Sequence, residues 1–121
     1  MVLSFTLVAM VMNAQTKRIV VDHLMDDSKP NWVITPGGPM NIEICPKYIK
    51  VIDDGVTSVY DIISTRKDVG NTMVYKVKGS NNKIIEFRHK DSEKMIQYIE
   101  KNATMGNKYY YYKKAVENIA G

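Results

Sequence analysis

The chain has 121 residues, with 17 Lys and Arg against 13 Asp and Glu, a formal net charge of +4 and a single cysteine. That length gives one domain, able to bury a core without covalent staples, and a lone cysteine excludes an intramolecular disulfide. The basic residues are interspersed with acids such as Asp26, Asp27, Asp53, Asp54, Asp91 and Glu93. The concentrated basic face that marks a nucleic-acid partner is therefore missing, and none is expected.

The first segment, residues 2–12, carries no charge and is dominated by Leu3, Phe5, Leu7, Val8, Met10 and Val11. As a helix it would rise roughly 16 Å at ~1.5 Å per residue, about half the hydrocarbon core of a bilayer. It is too short to span. Its length, the small Ala14 and the switch to Thr16-Lys17-Arg18 fit a secretory signal peptide over residues 1–14. The expectation is an exported protein, periplasmic or secreted, with a single all-β domain over 15–121 and no membrane span in the mature chain. Because no Lys or Arg precedes the apolar run, a buried first strand is the competing reading. Cys45, far from the proposed cut and set between Ile44 and Pro46, reads as a small buried hydrophobe.

From residue 16 onward the pattern is strand-like. Runs rich in Val, Ile, Tyr and Thr occupy 17–23, 32–35, 41–45, 48–52, 57–65, 72–78, 83–90, 94–100 and 108–114. Turn chemistry separates them, as in Asp53-Asp54-Gly55, Asp68-Val69-Gly70-Asn71 and Gly79-Ser80-Asn81-Asn82. Clean alternation puts Met73, Tyr75 and Val77 on one face of their strand and Lys76 and Lys78 on the other. In the next strand Ile85 and Phe87 oppose Glu86 and Arg88. One face on a core and one in water is the habit of antiparallel sheets. Residues 91–102 are ambiguous. Asp91 or Ser92 could cap a helix, yet Ile96 and Tyr98 alternate as in a strand, and the strand reading is favoured. The closing stretch 113–121 suggests at most a short helical turn.

The fold class read from this is all-β: an antiparallel meander of about eight short strands, closed as an up-and-down barrel that leaves no exposed edge. The alternatives are a β-sandwich, or α+β if 92–102 is helical. Over about residues 16–114 the succession of strands and turns resembles the small exported bacterial proteins with a lipocalin-like β-barrel. That resemblance implies a cup able to carry an apolar or amphipathic ligand. The family's glycine two residues before tryptophan is missing, since Trp32 follows Pro30-Asn31. Its long opening helix and paired cysteines are missing too, so no family ligand residue can be carried over.

Chemistry-bearing residues are few. Asp22-His23 with Asp26 and Asp27 could hold a metal or move protons. His89 is the only other histidine, and no metal or other cofactor is expected. Ser58, His23 or His89 and an aspartate lack any elbow or oxyanion motif, so the chain does not read as an enzyme. The stretch 35–39, "TPGGP", reads as a turn, because two prolines remove the donors a phosphate cradle needs. Asn102-Ala103-Thr104 matches a glycosylation sequon. In "KYYYYKK", Tyr109 and Tyr111 share one face of a strand and Tyr110 and Tyr112 the other. Aromatics with polar tips suit ligand or partner surfaces. Candidate ligand-binding residues are Trp32, Tyr75, Phe87, Tyr98, Tyr110 and Tyr112. The favoured function is an exported, non-enzymatic binding or interaction module at the bacterial cell envelope, because large inward residues leave little room in an eight-strand barrel. The alternative is a lipocalin-like carrier of a small apolar or amphipathic ligand. The expected partner is accordingly an envelope protein or a small apolar ligand.

Overall fold

The computed structural model describes residues 15–26, 29–34, 40–100 and 107–120. The proposed signal peptide, the "TPGGP" stretch and the sequon lie outside the described residues. The described residues form eleven strands: β1 (Gln15–Val21), β2 (His23–Asp26), β3 (Lys29–Ile34), β4 (Met40–Ile44), β5 (Tyr48–Asp53), β6 (Val56–Asp68), β7 (Thr72–Lys78), β8 (Ile84–Lys90), β9 (Met95–Glu100), β10 (Lys108–Tyr111) and β11 (Glu117–Ala120). They make one antiparallel sheet in the order β11-β1-β4-β5-β6-β7-β8-β9-β10-β2-β3. From β4 to β10 each strand pairs with the next along the chain, a meander of short connections.

This order corrects the closed lipocalin-like barrel expected from the sequence, and with it the resemblance to that family. β11 and β3 stand at the two ends and no ladder joins them, so the sheet is open. Nor do the described residues form the second sheet of a sandwich. Two interruptions account for it. Asp22 divides the first run into β1, which pairs with β4 and β11, and β2, which pairs with β10 and β3. The irregular stretch 112–116 separates β10 from β11. Yet only Asp22 lies between β1 and β2, which stand second and tenth in the order, so the chain itself brings strands near both ends of the sheet side by side. Asp22 holds this junction: its N–H donates to the Tyr111 carbonyl at 2.8 Å, and its carboxylate accepts from the Lys113 N–H at 2.6 Å. Pro30, which cannot donate to a ladder, is tolerated because β3 is an edge strand.

Two local expectations are also corrected or resolved. Residues 91–100, the described part of the ambiguous stretch, form no α-helix: a single 3-10 turn, Asp91–Glu93, ends at Lys94 in the left-handed region (φ 49°), and β9 follows. Within the closing stretch, Glu117–Ala120 form a strand rather than a helical turn. Four residues are too few to repay helix nucleation, whereas the free edge of β1 offers Glu117–Ala120 a ready ladder.

Alternation packs one face. Ile19 and Val21 of β1 stand opposite Ile42 and Met40 of β4, and Ile42 in turn meets Val51 of β5. On the other side, Tyr75 pairs with Phe87 and Phe87 with Tyr98. These side chains other than Tyr98, with Val77, Ile85, Ile96, Tyr110 and Tyr112, form a single core cluster, against which Tyr98 packs half-buried. Tyr60, Phe87 and Tyr98 meet edge to face, with centroids 5.2, 5.4 and 6.4 Å apart, a geometry that adds about 0.5–1.5 kcal/mol per pair to area burial. The β5–β6 hairpin closes through Asp54 (φ 49°) and Gly55 (φ 78°). Two successive left-handed residues are what a tight hairpin turn demands, and Asp-Gly supplies them.

Candidate functional site

β8 alternates strictly, placing Ile85, Phe87 and His89 on the core face. His89 is the polar end of that row, flanked by Met73 of β7 and Ile96 of β9. It is 5% exposed. Its Nε2 lies 2.8 Å from the Tyr112 hydroxyl, which donates to Asp91 Oδ1 at 2.6 Å. Since the hydroxyl spends its one proton on the carboxylate, it accepts from His89, which fixes the imidazole with its proton on Nε2. Burial holds His89 below its ordinary pKa and the charge of Lys17 adds to this, while Asp91 opposes it. Burial and the bond to Asp91 push the Tyr112 hydroxyl up. Both groups are therefore neutral at pH 7.

The backbone around this cluster is tied by Lys94. Its carbonyl accepts from the Tyr112 N–H at 3.1 Å and its ammonium donates to the Lys113 carbonyl at 2.8 Å. That positions 112–116 across the end of the sheet. A cleft of about 400 Å³ opens there, walled by Met73, His89, Asp91, Lys94, Val116 and Lys17, with Asn71 and Asn118 also lining it. Lys17 reaches it because strand periodicity puts residue 17 on the same face as Ile19 and Val21, although burial along β1 does not alternate before residue 19 and Thr16 is buried too. A second hollow of about 350 Å³ lies beside His23, Tyr111, Tyr112 and Lys113.

Of the residues expected to bind a ligand, Tyr75, Phe87, Tyr110 and Tyr112 are buried in the core cluster, and Tyr98 packs half-buried against it. Burial raises the Tyr98 phenol to about 12, with Tyr60 and Glu100 contributing, and the Lys108 ammonium lies 5.4 Å from its ring centre. Trp32 lies on β3 and its side chain is outside the described ones. Only Tyr112 takes part in the hydrogen-bonded cluster at the cleft. His23 does not join His89: it pairs with Tyr111, on the face opposite Leu24 and the core. Among the described residues there is no group of three His, Cys, Asp or Glu placed to hold a metal, and no helix long and apolar enough to cross a membrane. Cys45 is free and buried. His89, Lys17, Lys94 and Val116 were not singled out as ligand residues from the sequence. The signal for the first two was present, since extending the alternation of Ile85 and Phe87, or of Ile19 and Val21, by two residues reaches them.

Comparison with protein-family models, curated proteins and solved structures finds no match for the chain.

Proposed function

We propose that the chain is an exported, non-enzymatic binding protein that holds a small amphipathic ligand in the cleft at the His89 end of its sheet. The observation that carries this reading is the cleft's dual lining. Met73 and Val116 offer an apolar wall, while Lys17, His89 and Asp91 offer polar groups, within about 400 Å³. That volume lies in the lower part of the range of small-molecule sites. The rest of the inward face is occupied by its own aromatic and aliphatic side chains, which directs a ligand to this end. Export rests on the character of residues 1–14.

The test is to isolate the protein from its native source and compare its native and denatured masses. A native excess equal to one small molecule, released on denaturation and abolished by Val116→Trp, supports the reading. A native mass equal to the bare chain, or to a whole multiple of it, refutes it. The second reading is then favoured, an envelope interaction module acting through the hollow beside His23 and Tyr111. The same denatured mass tests export through the loss of Met1 to Ala14.

A further inference from the structure

Resting on the small-ligand reading above, we infer that the cleft selects a singly charged anionic amphiphile, whose carboxylate is held by the ammonium of Lys17. Lys17 stands on the same face of β1 as Ile19 and Val21 and lines the cleft together with His89. The other charged groups of the cleft are already engaged. Asp91 accepts from the Tyr112 hydroxyl at 2.6 Å, and the Lys94 ammonium donates to the Lys113 carbonyl at 2.8 Å. Among the described residues no carboxylate pairs with Lys17, although other basic side chains of the sheet, such as Arg18, Lys83 and Arg88, have acidic partners. The ammonium of the half-buried Lys17, at the cleft, is therefore the group left for a ligand to neutralise. Charge-assisted hydrogen bonds of this kind are the strong ones.

The remaining lining sets the ligand's other features. Met73 and Val116 take an apolar tail, and the Asn71 and Asn118 amides can donate to the second carboxylate oxygen. The nearby Asp91 carboxylate disfavours a second negative charge. A cationic headgroup would meet Lys17 itself, and a neutral one would leave its charge uncompensated.

The test measures binding of decanoate, decanol and decyltrimethylammonium to the full chain by titration calorimetry. Decanoate should bind at least about tenfold more tightly than decanol, as expected for a hydrogen bond to a charged group. Lys17→Met should abolish that preference and Lys17→Arg should retain it. Equal affinity for decanoate and decanol, or a preference that survives Lys17→Met, overturns the inference and leaves the small-ligand reading standing. If none of the three binds and the native mass shows no excess, both fall. The comparison on the unaltered chain decides the matter even if Lys17→Met does not fold.

Discussion

Replacing Tyr112 by Phe removes a single oxygen atom and separates the two hydrogen bonds that meet on it. The outcome follows from the unequal surroundings of their other ends. The Asp91 side chain is 71% exposed, so its lost bond is made again with water. His89 is 5% exposed and presents an N–H to the missing oxygen. A buried donor left without a partner costs about 1–3 kcal/mol, against much less for a group that regains solvent. Tyr112→Phe should therefore destabilise the fold by about 1–3 kcal/mol, lowering Tm by roughly 4–8 °C per kcal/mol for a body of about a hundred residues. Chemical denaturation at pH 7.5, alone and in a His89→Leu background, is the assay. In that background the donor is gone and the substitution should cost distinctly less. A loss that is the same with and without His89, or smaller than about 0.5 kcal/mol, would refute the assignment of the imidazole proton to Nε2 and its satisfaction by Tyr112.

The remaining expectations concern pH, packing and backbone. His89 titrates below its ordinary 6.5 in the fold, chiefly from burial, aided by Lys17 and opposed by Asp91, with Lys94 also at the cleft. The unfolded chain takes up its proton first, so stability is full above about pH 6.5 and declines as pH falls toward the folded value, by at most about 1.4 kcal/mol per unit. His89→Gln should remove this acid limb from denaturation midpoints measured across pH 4–8. Phe87, 1% exposed and edge-on to both Tyr60 and Tyr98, should cost about 3–5 kcal/mol as alanine, read as a shift in denaturation midpoint at unchanged slope. Gly70 lies at φ 68° with nothing within 4 Å of an added Cβ. Gly70→Ala should thus cost only the left-handed strain of about 1–2 kcal/mol, with no change in near-UV circular dichroism.

The meander was legible because its signals are local. Alternation along β7 and β8 needs only the neighbouring residues, and Asp54-Gly55 announces its hairpin whatever surrounds it. Even the strand reading of 94–100 followed from the alternation of Ile96 and Tyr98 and from the tyrosine strand that follows. What was not legible depends on partners distant in the chain. Glu117–Ala120 has no strand signal of its own and is extended because β1, about a hundred residues earlier, offers it an edge. The breaks at Asp22 and at 112–116, which leave the sheet open, likewise reflect a junction between the first and last strands. No window of neighbouring residues contains both.

The same interruptions explain why the candidate site lies where it does. A ladder running unbroken past residue 112 would have kept Val116 in regular register beside β1 and closed the end of the sheet with paired backbone. Instead Asp22 and Lys94 hold the irregular stretch across that end through the Lys113 N–H and carbonyl, at 2.6 and 2.8 Å. The space left between it, Met73 and His89 is the cleft. Regular strands bring Lys17 and His89 to this point as the polar ends of apolar rows, and the irregular segment supplies the opposing wall. A locally favourable pattern is given up at one place in the chain, and such places tend to be functional sites. Here that place is also the one where two ammonium groups, a carboxylate and a buried imidazole meet around open space.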